Sequence, residues 1–187
     1  MHRVDIPWTV TTIGTEAFYL CESLEFIHLS FTSFDSSSTI LTTIGSFAFF
    51  GSGLREIDIP DSVARIGMNA FDQCASLTRI RFPANSDLKI ASSLCKDCSN
   101  LTTIQIPKSI KYIPPCTFEN CTALSTIQLP DSVLAIGTLA FRGCCSLANI
   151  VWSKNLVEIA DQAFLGCSTL KTIDIPDSVK HIGVGAF

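Results

Sequence analysis

Ile59–Leu77, IPDSVARIGMNAFDQCASL, decides the reading of this chain, because most of the remaining sequence is a copy of it. Ile66–Gly67 aligns with Ile13–Gly14, Ile44–Gly45, Ile136–Gly137 and Ile182–Gly183. Ile90–Ala91, Ile113–Pro114 and Ile159–Ala160 fill the same slots. Five residues past each Ile stands Phe18, Phe49, Phe71, Phe118, Phe141, Phe164 or Phe187, and only Cys95 breaks that column. A short fixed period means a stack of coils, each burying its apolar side against its neighbours.

The last strand position of each unit is Ile6, Leu29, Ile59, Phe82, Ile106, Leu129, Trp152 or Ile175, giving steps of 23, 30, 23, 24, 23, 23 and 23 residues. The long step contains an insertion, Ser30–Ile40 (SFTSFDSSSTI), offset by a one-residue deletion near Gly51–Gly53. The insertion is serine-rich and reads as a loop at one edge of the stack. Phe31 and Phe34 are expected to tuck against the neighbouring repeat, the alternative being exposed contact residues. Residues 1–187 form one continuous repeat domain.

Within a unit, Leu77–Phe82 (LTRIRF) alternates and is rich in strand formers, so it reads as a short strand. Its copies are LEFIHL, LREIDI, LTTIQI, LSTIQL, LANIVW and LKTIDI. Proline commonly follows, as Pro7, Pro60, Pro83, Pro107, Pro130 and Pro176, and ends ladder pairing because it has no N–H. Asp61, Asp131 and Asp177 suit the next turn, where a carboxylate accepts nearby backbone N–H groups. A second extended piece, Val63–Ile66, runs into Gly67, whose slot suggests a positive φ, although Ala91, Pro114 and Ala160 show that this is not obligatory. The following xxAFxxC reads as one helical or 3-10 turn with Ala-Phe facing in.

The composition, 47% hydrophobic and 16% charged, supplies an ample core. The net charge of −4 and the lack of a basic stripe argue against nucleic acid. No apolar run is long enough to span a bilayer. The first residues, MHRVDIPWTV, lack the apolar segment of a secretory signal, so a cytoplasmic location stays open beside export.

Cys21, Cys74, Cys98, Cys121, Cys144 and Cys167 share one slot, three residues after the aromatic column, and Ser52 fills it once. A repeat-locked cysteine reads as a small buried hydrophobe, reduced and inert. Equivalent side chains in successive units point in parallel, which is poor disulfide geometry. Cys95 and Cys98 spell CxxC, but both are already accounted for as core, so neither a metal nor a cofactor is expected. Cys116 and Cys145 lie off the ladder and are expected to face solvent. The three histidines, His2, His28 and His181, form no dyad or metal spacing, and no phosphate loop or nucleophile motif appears. The chain reads as non-enzymatic. The sequons at Asn100 and Asn120 occur at chance frequency and do not establish secretion.

Strand alternation turns Ile80 and Phe82 inward and the residues between and before them outward. Stacking aligns the outward residues in two columns. One holds Phe26, Glu56, Arg79, Thr103, Thr126, Asn149 and Thr172; the other holds His28, Asp58, Arg81, Gln105, Gln128, Val151 and Asp174. The inward columns hardly vary and these vary greatly, which makes this face the candidate protein-binding surface. Glu56 and Asp58 lie beside Arg79 and Arg81, predicting two cross-strand ion pairs, with the arginines the candidate hot spot. Solenoids need polar caps, and none precedes Ile6 or follows Phe187. Either the chain is part of a longer array or its ends pair, as an end-to-end homodimer would.

The consensus IPxSVxxIGxxAFxxCxSLxxIxIP resembles the BspA-like, or Treponema pallidum-type, leucine-rich repeats over essentially all of Ile6–Phe187. Ile59–Phe82 and Leu129–Trp152 match best, and the unit with Ala91, Leu94 and Cys95 departs most. The resemblance implies a leucine-rich-repeat solenoid: a curved, right-handed, strand-rich coil of seven to eight 23-residue repeats, with short strands on both faces and no catalytic centre. It also implies a role like that of family members in bacteria and in protists such as Trichomonas and Entamoeba. Those with an assigned role are mostly surface adhesins that bind host cells or matrix proteins such as fibronectin and fibrinogen. The family has no shared binding motif, so no functional residue carries over. The expectation is a surface adhesion module with a protein partner, against the alternative of an intracellular scaffold held reduced.

Overall fold

The structure, a computed structural model, describes residues 2–29, 40–83 and 87–187. Phe31 and Phe34 of the insertion lie outside the described residues.

The chain is a parallel β-solenoid. One face carries the strands Arg3–Ile6, Phe26–Leu29, Glu56–Asp58, Arg79–Arg81 and Thr103–Ile104 as a five-stranded parallel sheet. A bridge between Gln105 and Gln128 continues it into the pair Thr126–Gln128 and Asn149–Val151. The register is the one the repeat requires: Glu56 opposite Arg79, Ile57 opposite Ile80, Asp58 opposite Arg81. The last copy, Leu170–Ile175, is not a strand, contrary to the alternation read in LKTIDI.

A second ladder is built from two-residue strands, such as Thr43–Ile44 and Arg65–Ile66. It splits into two four-stranded sheets between Lys89–Ile90 and Tyr112–Ile113. One contributor is an imino acid. Gly67 donates its N–H to the Ile44 carbonyl of the preceding unit, and Ala91, Gly137 and Ala160 do the same to Ile66, Ile113 and Ile136. Pro114 occupies this slot in the interrupted unit and has no N–H to give.

Gly45 and Gly67 do not have the positive φ suggested for their slot. They are small because backbones approach closely there. A Cβ on Gly67 would stand 2.4 Å from Ser46 N, and one on Gly45 2.5 Å from Thr15 N. The left-handed residues come later. Asn69 (φ 54°) and Gln73 (φ 58°) flank Phe71 two residues to either side, and Leu139 and Gly143 flank Phe141 likewise. This pair replaces the expected helical or 3-10 turn: xxAFxxC is a run of tight turns, with no helix among the described residues. Two left-handed residues per coil reverse the chain around the Phe, which a continuous right-handed turn cannot do.

Inside the coil the aromatic column stacks. Phe49 and Phe71 have centroids 5.4 Å apart with planes 2° from parallel, and Phe141 and Phe164 lie at 5.1 Å and 5°. Near-parallel rings at these separations must be offset, the favourable arrangement for two like quadrupoles. Cys95 interrupts the stack. Its neighbour Leu94 stands where other units carry Ala48, Ala70, Ala140 or Ala163, and both Leu94 and Cys95 are fully buried. The volume missing from the aromatic slot reappears one residue earlier.

The cysteine column is buried at Cys74, Cys98, Cys121, Cys144 and Cys167, and half-buried at Cys21. These thiols are not merely apolar filler. Cys98 Sγ donates to the Phe71 carbonyl at 3.0 Å, Cys121 to Cys95 at 3.1 Å and Cys144 to Phe118 at 3.1 Å. Each thiol thus reaches the aromatic slot of the preceding unit, while the Phe71 and Phe118 amides donate forward, to Leu94 and Ala140. Burial pushes the Cys121, Cys144 and Cys167 thiols up, Cys167 to about 12, so these three stay protonated donors. Cys145 is exposed as expected; Cys116, expected to face solvent, is instead half-buried, and burial and then Glu119 raise its pKa.

The slot after the Phe column holds features invisible to a hydrophobic reading. It runs Tyr19, Phe50, Asp72, Lys96, Glu119, Arg142 and Leu165. Tyr19 and Phe50 stack at 5.0 Å. Glu119, with a side chain only 6% exposed, takes Lys96 on one oxygen and Arg142 on the other, both at 3.2 Å. Asp72 is buried, accepts from Asn69 Nδ2 at 2.6 Å through one oxygen, and leaves the other unpartnered.

Burial is the main cause that raises the Asp72 pKa above its ordinary 3.8. The folded state then holds the proton more tightly than the unfolded state. Stability is therefore lost as pH rises from the unfolded value through the folded one. Asp72→Asn does not titrate. It should be more stable than the parent at pH 7, by about 1 kcal/mol, because the buried charge is removed while the amide oxygen can still accept from Asn69. The gain should shrink towards pH 3. Urea unfolding at the two pH values checks this, and a gain that grows on acidification would contradict it.

Candidate protein-binding face

Every outward residue read from the repeat is exposed, except Asp58, which is half-buried. Phe26, Glu56, Arg79, Thr103, Thr126 and Asn149 form one row along the paired strands. His28, Asp58, Arg81, Gln105, Gln128 and Val151 form the other. Thr172 and Asp174 continue the rows beyond the last strand. Arg3 and Asp5 precede them on the first strand, paired at 2.8 Å, with His28 3.9 Å from Asp5. The columns read from the repeat start at Phe26 and miss this first copy.

The charges do not form two separate pairs. Arg79 takes both acids: Nη2 lies 2.9 Å from Glu56 and Nη1 2.9 Å from Asp58. Both carboxylates raise the Arg79 pKa, the hydrogen bond to Glu56 most. The planar guanidinium forks between residues on one neighbouring strand, whereas a lysine ammonium could not hold the same two directions. Arg81, directly opposite Asp58, has no ion-pair partner among the described residues. The predicted Asp58–Arg81 pair is therefore replaced by a diagonal one, and one arginine is released.

Beyond Arg79 the surface sinks into a trough. One depression, about 520 Å³, is lined by Arg79, Arg81, Thr103, Gln105, Lys108, Thr126 and Gln128 among others. A second, about 560 Å³, shares Lys108, Gln128 and Pro130 and runs on to Asp131, Val151 and Lys154. Lys108 and Lys154 escape a strand-based reading because they sit on the turn, two residues past the last strand position. The readable signal is the column Asp61, Lys108, Asp131, Lys154 and Asp177. Asp131 does not serve its own turn: its Oδ1 accepts the Lys154 backbone N–H at 3.1 Å.

Little else gathers chemistry. Among the described residues no cluster of three or more His, Cys, Asp or Glu could hold a metal. His2 faces Glu25 at 3.3 Å, far along the chain from His181. The sequon amides are engaged between units, Asn100 Nδ2 to the Ala75 carbonyl and Asn120 Nδ2 to Asp97, both at 2.8 Å. Among the described residues no helix is long and apolar enough to cross a membrane.

This geometry agrees with a comparison by sequence: residues 1–91 and 88–187 match the BspA type leucine rich repeat region, in six copies. The chain belongs to the BspA-type leucine-rich-repeat family. Among solved structures, the family resemblance extends to a leucine rich cell surface protein from Faecalibacterium prausnitzii, 33% identical, with a TM-score of 0.63 over 100% of this chain. The chain spans 51% of that protein, about half its length. The leucine rich repeat protein of T. pallidum is 28% identical over 98% of this chain and 73% of its own, with a TM-score of 0.70. No curated protein matches the chain. Membership in the BspA-type family, with a cell-surface protein among the similar structures, supports a protein-binding repeat module.

Proposed function

We propose that this BspA-type chain is a non-enzymatic adhesion module at the cell surface. Its outward strand face engages a host matrix or cell-surface protein. The observation that carries the reading is the contrast between constant and variable columns. Inward positions such as Ile57, Ile80, Ile104 and Ile127 are one residue type and buried. The outward neighbours on the same strands change from Glu to Arg to Thr and are exposed. Core packing does not demand that variety, and recognition does. The F. prausnitzii relative, described as a cell surface protein, supports the location.

The test places bulk on the face without touching the core: Thr103→Trp with Thr126→Trp, assayed against immobilised matrix proteins and whole host cells. Saturable binding by the parent, lost at least tenfold in the bulky variant with unchanged circular dichroism, is the expected result. Full binding by the bulky variant would move the site off this face. No binding by the parent would count against the adhesion role itself.

The second reading, an intracellular interaction scaffold, is favoured by one observation: Cys145 is an exposed free thiol. Exported proteins tend not to leave such groups unpaired. Cell fractionation with antibody to the chain separates the two locations.

A further inference from the structure

The trough on the outward face carries an excess of unneutralised positive charge in a chain whose net charge is −4. Arg81, Lys108 and Lys154 line it and have no ion-pair partner among the described residues. Arg79 lies at its rim but is already taken by Glu56 and Asp58, which line neither depression. The lining carboxylate, Asp131, is engaged by a backbone N–H. Between the cations stand Gln105 and Gln128, adjacent across the Gln105–Gln128 bridge, and neither side-chain amide has a partner among the described residues. Amide and hydroxyl donors beside free cations suit carboxylates, which accept hydrogen bonds and carry the opposite charge.

We propose that the occupant of this trough is an extended acidic segment of the partner protein, lying across the strands with its carboxylates on Arg81, Lys108 and Lys154. This rests on the protein-binding reading and names the chemistry of the partner. The distance fits. From the Arg81 strand to the Val151 strand is three rungs of the ladder, or about 14 Å at roughly 4.8 Å per rung. Lys108 and Lys154 stand on the turn, three positions further across than Arg81, so the path is about 17 Å, or about five residues of extended chain at roughly 3.3 Å each. A short run of Asp and Glu can therefore meet all three cations. The released Arg81 is central: had it paired with Asp58, the near end of the trough would be neutral.

The experiment titrates the chain into fluorescein-labelled hexaglutamate at low salt and follows fluorescence anisotropy. Hexalysine serves as a control, and a size-matched sulfated oligosaccharide as competitor. The variant is Arg81→Glu with Lys108→Glu; a charge-matched control, Lys171→Glu with Lys180→Glu, changes exposed lysines outside the trough. The expected result is saturable binding of hexaglutamate, weakened at least tenfold in the trough variant and by less than twofold in the control, with the parent's binding lost by about 0.5 M salt as screening requires. Circular dichroism and thermal midpoints verify that both variants fold. Equal binding by trough variant and control, or no binding by the parent at low salt, overturns the proposal. Displacement by the sulfated oligosaccharide at far lower concentration overturns it in favour of a polyanionic glycan. If the bulky variant, Thr103→Trp with Thr126→Trp, loses its cellular partner while the trough variant keeps it, the face stands as the binding surface and the acidic occupant falls.

Discussion

Replacing Cys95 by Phe should destabilise the solenoid, although Phe is the residue that the repeat places there in every other unit. The slot is already full. Cys95 and Leu94 are both completely buried, and Leu94 supplies volume that alanine does not in the other coils. An extra ring forces strained rotamers or backbone shifts, at about 1–3 kcal/mol. Leu94→Ala alone leaves a cavity and costs about 2–5 kcal/mol. Made together, the two changes restore Ala-Phe and extend the ring stack from Phe71 to Phe118. The double variant should fall within about 1.5 kcal/mol of the parent, which is the span of tolerated volume-conserving swaps. Contacting sites that exchange volume are non-additive, and the coupling should be favourable and at least about 1.5 kcal/mol. Urea unfolding of the four proteins measures it. Additive losses would show that the Leu94 side chain does not occupy the space the ring would need.

Removing both cations from Glu119 should be the second large effect. Lys96→Met with Arg142→Met leaves a carboxylate side chain only 6% exposed without its two ion partners. Stripping a fully buried pair costs roughly 3–5 kcal/mol. The cations here are 35% and 48% exposed, so solvent already screens them. The expected loss is therefore about 2 kcal/mol, between the buried and the surface limits. Adding Glu119→Gln should recover at least half of it by removing the stranded charge. Glu119→Gln in the parent should cost less than the double cation change, because the cations it frees can reach water. If Glu119→Gln gives no recovery, the loss came from the apolar stems of Lys96 and Arg142 rather than from charge.

Where sequence and structure agree, the reason is periodicity. Ile66, Phe71, Cys74, Leu77 and Ile80 recur because each meets its own copies one rung away, so their burial is readable without coordinates. The candidate face follows from alternation alone. The differences arise where backbone geometry, or a choice among near neighbours, decides. The left-handed pair around Phe71 carries many residue types across the coils, Asn69, Gln73, Ser93 and Leu139 as well as Gly143 and Gly166, so glycine marks it in only some units. The glycines after Ile44 and Ile66 need room instead. Arg79 reaches both the facing and the diagonal acid with its fork, which register alone does not determine. The interrupted ladder does have a sequence signal: Pro114 stands in the donor slot and has no N–H to give. The lysines of the trough lie outside the strand pattern and within a turn column of mixed charge.

The thiol that reaches back and the amide that reaches forward from each aromatic slot make the junctions between coils nearly identical. Identical joints make the coils exchangeable. An in-frame gain or loss of one 23-residue unit rejoins Phe to Phe and Cys to Cys, and the interior need not be reinvented. On the outside the same event shifts one set of side chains against another by a single rung, about 4.8 Å. A copy inserted between the coils of Arg81 and Lys108 would lengthen the spacing of those cations while leaving each in its own setting. Recognition in such a chain can therefore change in discrete steps through repeat number, with little demand on folding.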